Sequence, residues 1–344
     1  MSTTSYTPTP GAGALQPTLP QTVIRPLLRR KTMILSVLLA LLLIVSSMIL
    51  SFYAYVAWTL ARPHIDQLTS NPMKASKLAY TNVTFPSLNG NSELEGWFIP
   101  SADATKTVIF SHGYGGNREE IWVPLYKLAS KLHEQKYNVL MFDYGYVKPY
   151  NNRLMTGGIQ ESQELLGAVD YVKKTTGGAI YIWGFSMGAG TALQSALQNN
   201  TDIAGMILDS TFLLNPDTLY HNIVQIAQIP KYPSLPLIRF FFPILNGVSL
   251  HEVPYQKVAS TSYSMPIFFI HGTADKKAPY DLVESLYKQQ HNTGSELWIL
   301  PQAEHELLYR AEPRTYVNRT LSFLNSLGHP PINVHTASGI PSSL

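Results

Sequence analysis

Gly184-Phe185-Ser186-Met187-Gly188 follows directly on the apolar run Ile180-Tyr181-Ile182-Trp183 and precedes Ala189-Gly190-Thr191-Ala192. A serine between a strand and a helix, with glycines two positions either way, sits in a strained turn that pushes its hydroxyl into a cleft. Larger side chains at the glycines would collide with neighbouring backbone. Serine is a weak nucleophile until a base takes its proton, and an imidazole base needs a carboxylate to fix its tautomer and stabilise its cation. Both partners follow in the chain. His271-Gly272-Thr273-Ala274-Asp275 comes straight after the stretch 266–270, and Ala303-Glu304-His305-Glu306 follows the stretch 296–300. Ser186, Asp275 and His305 are therefore the candidate nucleophile, acid and base. Asp209, in Leu208-Asp209-Ser210-Thr211, also ends an apolar stretch and is the alternative acid.

Acyl transfer needs hydrogen-bond donors where negative charge develops on oxygen. Ser111-His112-Gly113-Tyr114-Gly115-Gly116 is a glycine-rich turn that can supply them. The backbone N–H groups of Tyr114 and Met187 are the candidate pair, with His112 bracing the loop. A phosphate-binding loop is the rival reading, but the Gly-Lys-Ser/Thr ending is missing. Asp143 is expected to cap or hydrogen-bond near the rim. The other histidines (His64, His133, His221, His251, His271, His291, His329 and His335) read as surface or packing residues. No His-Glu-x-x-His or clustered ligand set occurs, so neither a metal nor another cofactor is expected. The absence of cysteine excludes disulfides, thiolate metal sites and a cysteine nucleophile.

The elements that must position these residues alternate along the chain. Apolar stretches at 94–99, 107–111, 138–143, 179–183, 205–208, 266–271 and 296–300 read as strands, several of them apolar without interruption, as suits strands covered on both faces. Helical spacing falls near 118–135, 158–174, 187–199, 280–290 and 313–327. This alternation predicts a mostly parallel α/β sheet flanked by helices, with ligands at the carboxyl ends of the strands. Between Thr211 and Met265 lies an apolar, proline-punctuated insertion of about 50 residues, densest at Arg239-Phe240-Phe241-Phe242-Pro243-Ile244-Leu245. It is either a lid over the site, at about 212–264, or a pair of helices packed on the sheet edge.

The N-terminal part has a different character. Only 14% of the 344 residues are charged, against about 25% in an ordinary soluble domain. No charge occurs between Lys31 and Arg62, a gap of 30 positions. That is long enough to cross a bilayer, and Phe52, Tyr53, Tyr55 and Trp58 at its far end fit an interfacial aromatic belt. A cleaved signal peptide would have a shorter apolar core and a small-x-small site, neither of which is present. The division expected is a disordered tail at 1–31, a spanning helix at 32–60, the main domain at 61–328 and a loose tail at 329–344. Arg25, Arg29, Arg30 and Lys31 precede the helix and no acid does, so the N-terminus is expected in the cytoplasm and the domain outside. The rest of the chain carries 21 basic against 22 acidic residues, which argues against a nucleic-acid partner.

From about Val83 to Leu327 the chain resembles the α/β-hydrolases, and within them the membrane-anchored bacterial branch described as Bem46-like and serine-aminopeptidase-like. The resemblance rests on Leu94–Pro100, Phe110–Gly116, Val139–Tyr144, Gly184–Gly188, Leu208–Thr211, Ile270–Asp275 and Ala303–His305. It implies Ser186 as nucleophile, Asp275 as acid, His305 as base, and Tyr114 and Met187 as the oxyanion hole. One departure stands out: relatives often show Asp-Tyr-Arg-Gly-x-Gly where this chain has Asp143-Tyr144-Gly145-Tyr146-Val147-Lys148. The expected activity is a serine hydrolase acting on small-molecule carboxylic esters. A peptidase of the aminopeptidase-like type and a non-catalytic anchored scaffold are the alternatives. A peptidase would want an acid near the lid for the substrate amine, and Glu252 is the only one between Asp217 and Asp275.

Overall fold

Runs of apolar residues flanked by amphipathic segments can bury themselves only by stacking helices on both faces of a sheet. The computed structural model, which describes residues 1–5, 24–148, 153–199, 201–226 and 228–327, has that arrangement. The chain runs α1 (Ile24–Leu60), α2 (Pro72–Ser76), β1 (Thr81–Pro86), β2 (Glu93–Ile99), β3 (Lys106–Ser111), α3 (Leu125–Glu134), β4 (Tyr137–Phe142), α4 (Ile159–Thr176), β5 (Ala179–Phe185) and α5 (Met187–Ala196). It continues through β6 (Gly205–Asp209), α6 (Pro216–Ile226), α7 (Lys231–Asn246), α8 (Tyr255–Ser260), β7 (Ile267–Gly272), α9 (Tyr280–Lys288), β8 (Glu296–Leu300), α10 (Leu308–Ala311) and α11 (Pro313–Ser326). The eight strands form one sheet in the order β1-β2-β4-β3-β5-β6-β7-β8. From β4 to β8 every pairing is parallel, and β1 and β2 join antiparallel at one edge.

The faces of the sheet carry separate apolar layers. One gathers Ile109, Leu140, Ile182, Leu208 and Phe269 against α4, α5 and α9. The other gathers Val108, Phe110, Trp183, Ile207 and Phe268 against α3 and α11. Alternate residues of the same strand serve opposite layers, as the period of two demands. The fold is that of the α/β-hydrolases.

Two details differ from the expectation. The helix placed at 118–135 begins only at Leu125, because residues 117–120 close a turn of their own, in which Glu119 N–H donates to Asn117 Oδ1 and Glu120 N–H to Asn117 C=O. Strand β1 escaped the reading, since Thr81-Asn82-Val83-Thr84-Phe85-Pro86 is an edge strand in which only Phe85 is buried. Residues 6–23 of the tail expected at 1–31, and the whole of the tail expected at 329–344, lie outside the described residues.

The chain divides into two units, Met1–Phe52 and Tyr53–Leu344. The first contains most of α1, and its residues 33–52 are mainly apolar and largely exposed. Among the described residues one helix, Arg29–Leu60, whose most apolar 18-residue stretch has mean hydropathy 2.9, is long and apolar enough to cross a membrane. The helix starts at Ile24, so residues 24–31, assigned above to the tail, belong to it. Its last two turns belong to the second unit. Tyr53, Ala57 and Ala61 are buried against Leu235, Ile238 and Phe242 of α7 and Leu219 and Ile223 of α6. Tyr53 Oη lies 3.0 Å from Ser234 Oγ, and Asn246 Nδ2 donates to Ala57 C=O at 3.0 Å. A boundary at 60/61 therefore cuts through a packed core.

Candidate active site

Six consecutive parallel strands, β4-β3-β5-β6-β7-β8, end on one side of the sheet, and each delivers a piece of the site or of its support. Ser186 follows β5 with φ 49 and ψ −116, a left-handed conformation costing a non-glycine residue roughly 1–3 kcal/mol. The surroundings hold it there. Ser186 N–H donates to Asp209 C=O at 2.9 Å, and its own carbonyl accepts from Ala189, Gly190 and Phe212. A Cβ at Gly188 would stand 2.0 Å from Ser111 C=O oxygen, and one at Gly184 2.6 Å from Ala189 Cα, so both glycines are demanded by the close approach.

His305, in the loop after β8, points Nε2 at Ser186 Oγ at 2.8 Å and Nδ1 at Asp275 Oδ2 at 2.6 Å. Asp275 also accepts from the N–H groups of Lys277 and Ala278 through Oδ1, at 2.8 Å each. The structure thus brings together the three residues singled out from sequence. It keeps the alternative acid elsewhere. Asp209 accepts from Tyr316 Oη at 2.6 Å and Ser210 Oγ at 2.8 Å, and burial pushes its carboxyl up to about 6.

One neighbour went unrecognised. His271, read as a packing residue, sits with Nε2 3.1 Å from Asp275 Oδ2 and 2.7 Å from Ala278 C=O. Both are acceptors, so Nε2 carries a proton and donates. The signal was its position four residues before Asp275 at the same strand end. Burial opposes the charge on Asp275, but the hydrogen bonds from His271 and His305 outweigh it and hold the carboxyl well below its usual range. For His305 burial dominates and lowers its pKa, against the opposing pull of Asp275. The resting imidazole is neutral, with Nδ1–H toward the carboxylate and a free lone pair on Nε2 toward the serine.

The loop after β3 is pinned from several sides. His112 accepts from Tyr144 N–H on Nε2 at 3.1 Å, which fixes the tautomer that donates from Nδ1 to Gly113 C=O at 3.0 Å. Tyr146 Oη donates to the same carbonyl at 3.1 Å, and Gly113 N–H donates to Glu120 Oε2 at 2.7 Å. Tyr146 lies in the segment that departs from the relatives' pattern. Asp143 grips Arg118 through its backbone N–H at 2.7 Å and its guanidinium at 2.6 and 2.8 Å, tying the next turn to the end of β4. Among the described residues the N–H groups of Tyr114 and Met187 have no protein acceptor. Met187 opens α5, so its N–H also lies at the positive end of that helix.

A cavity of about 300 Å³ opens over Ser186, and its walls are mainly apolar. Met155, Phe212, Leu219, Ile223 and Phe242 contribute the apolar surface, while Asn222, Lys277 and Glu306 contribute polar atoms. Helices α6 and α7 of the insertion form part of this wall, as does Leu60 at the end of α1. Among the described residues no cluster of ligands could hold a metal ion.

A family profile for the alpha/beta hydrolase fold matches residues 106–243. The chain is similar to the protein YfhR of Escherichia coli O157:H7, 30% identical over 233 residues, covering 65% of this chain and 72% of that one. It is also similar to YqkD of Bacillus subtilis, 27% identical over 250 residues, covering 72% and 80%. The lysophosphatidylserine lipase ABHD12 of Danio rerio is 26% identical over 232 residues, covering 62% of this chain and 58% of the lipase. Among solved structures, the Pyrococcus furiosus esterase Pf2001 superposes with a TM-score of 0.61 at 24% identity, covering 77% of this chain and 98% of the esterase.

Proposed function

Because the chain belongs to the α/β-hydrolase family, we propose that it is a membrane-anchored serine hydrolase that cleaves carboxylic esters through an acyl-enzyme on Ser186. The observation that carries this reading is the unbroken line Asp275–His305–Ser186, with contacts of 2.6 and 2.8 Å. His305 Nε2 takes the hydroxyl proton as Ser186 Oγ attacks the ester carbon. The N–H groups of Tyr114 and Met187 hold the oxyanion, and Asp275 stabilises the imidazolium. The imidazolium then protonates the leaving alkoxide, and the acyl group remains on Ser186. Water enters and His305 repeats the transfer, releasing the acid and the free serine.

The apolar cavity supports an ester whose acyl or aryl part is greasy. The esterase and lipase among the similar proteins support the same class, and the α1 anchor favours lipid-like esters at a membrane. Glu306 is the acid in the cavity wall, yet burial pushes its carboxyl toward the neutral form, so it offers no charged anchor for a substrate amine. That favours esters over N-terminal peptide cleavage. The branch is the membrane-anchored, Bem46-like one, with the insertion at about 212–264 acting as a lid. Para-nitrophenyl esters of graded chain length test the proposal on the full chain in detergent. Turnover is expected for the apolar acyl groups and its loss in Ser186→Ala. Turnover unaffected by Ser186→Ala would refute it.

A further inference from the structure

Behind the loop after β3 lie two buried carboxyls that the reaction scheme does not use. Glu120 is 2% exposed and Glu306 4% exposed, and both have left-handed backbone, with φ 43 and φ 57. Strained non-glycine residues persist only where the surroundings over-determine them. The two side chains converge on one point. A Cβ placed on Gly113 would stand 2.7 Å from Glu306 Oε1, 3.3 Å from Glu120 Oε2 and 3.4 Å from Ser186 Cβ. Glu120 Oε2 accepts Gly113 N–H, while Glu120 Oε1 and Glu306 Oε1 are buried with no donor. Glu306 Oε1 and Glu120 Oε2 therefore lie within the sum of those two distances of each other, and burial together with the charge of Glu120 favours the neutral form of Glu306. A proton on one of them turns an orphan acceptor into a donor.

We propose that Glu120 and Glu306 share one proton and act as positioning residues, holding Gly113 so that the Tyr114 N–H faces the oxyanion. The pair ties together three stretches: the loop at 113–116, the turn at 117–122 and the loop carrying His305, whose next residue is Glu306. Glu306 is further fixed by its own N–H, which donates to Ser210 Oγ at 2.9 Å. Asp209 and Asp275 face Glu306 from the ends of β6 and β7 and favour its neutral form. Lys277 faces both glutamates and opposes this, and Tyr316 of α11 and Tyr146 stand beside Glu306 and Glu120 respectively. Loss of the shared proton at alkaline pH sets two negative charges behind Gly113 and pushes the loop away from Ser186. The effect on turnover rests on Ser186 being the nucleophile; the shared proton does not.

The test uses the full chain in detergent with Glu306→Gln, Glu120→Gln and Glu306→Ala. Infrared difference spectra at neutral pH are expected to show a protonated-carboxyl band in the wild type that Glu306→Gln lacks, a readout independent of activity. Turnover and Ser186 labelling by a fluorophosphonate are then followed from neutral to alkaline pH. The wild type should fall off at its alkaline limb through kcat with KM little changed. Either glutamine variant removes one of the two charges, so both should keep activity through that limb. Glu306→Ala should lose activity at all pH values on the order of 10²-fold, the scale of one lost oxyanion donor. An identical band in wild type and Glu306→Gln overturns the shared proton. An alkaline limb unchanged in both glutamine variants, or Glu306→Gln as impaired as Glu306→Ala throughout, overturns the positioning role. A wild type that neither turns over nor labels overturns the reading of Ser186, while the infrared result still decides the proton.

Discussion

At the scale of residues, the environment of Asp275 separates it from Asp209, although both follow a strand end. Asp275 receives two imidazoles and two backbone N–H groups, whereas Asp209 is desolvated and serves Tyr316 and Ser210. Asp275→Asn is therefore expected to lower kcat by about 10⁴, and Asp209→Asn by less than about tenfold, measured on one soluble ester. His271→Phe removes a hydrogen bond to a charged group, worth about 1.5–3 kcal/mol, and should cost about ten- to a hundredfold in kcat. Equal turnover in His271→Phe and wild type would show that this contact is packing alone. The pH profile follows from His305. Only its neutral form accepts the serine proton, and burial lowers its pKa. Activity should be complete above that lowered value and be lost as pH falls through it, with the midpoint below the ordinary histidine value of about 6.5. Ser186, Asp275, His305 and the loop after β3, which the structure brings together, could be singled out because each motif sits at a strand end. His271, Tyr146, Glu120 and Glu306 were not, because their partners come from other loops and only the folded chain brings them together.

At the scale of elements, seven of the eight strands were legible, since each carries an apolar stretch, uninterrupted where a parallel strand such as β3 or β7 is covered on both faces. The edge strand β1 was not, because its exposed side chains are polar and it ends at Pro86. The end of α1 carries a lesson of the same kind. The apolar run reads as one spanning segment, yet hydropathy does not distinguish a side chain facing lipid from one facing α7. Tyr53 and Ala57 face α7 and α6, and Tyr114 Oη donates to Leu60 C=O at 3.1 Å. A truncated chain starting at Pro63 loses these contacts, whereas one starting at Ser51 keeps them. Losing one large buried aromatic costs about 3–5 kcal/mol, so the shorter chain should unfold at clearly lower urea concentration. Equal midpoints would show that the last turns of α1 contribute nothing to the domain.

At the scale of the whole molecule, the proposed placement of the chemistry at a membrane rests on the apolar segment of α1 and its flanking charges. Arg25, Arg29, Arg30 and Lys31 stand before the apolar segment, with no acid among them, and by the positive-inside bias the orientation we propose has the domain outside the cell. Protease added to intact protoplasts should remove the domain while sparing an N-terminal tag; complete protection of the domain would reverse this orientation. The account as a whole turns on one bond, that between the acyl group and Ser186 Oγ. Mass spectrometry of the full chain, quenched during turnover of a slow ester, measures it directly. The prediction is one acyl adduct per chain, located on Ser186, absent from Ser186→Ala and slowed by orders of magnitude in His305→Ala. Ester turnover with the adduct on another residue, or with none at all while Ser186→Ala stays active, would contradict it.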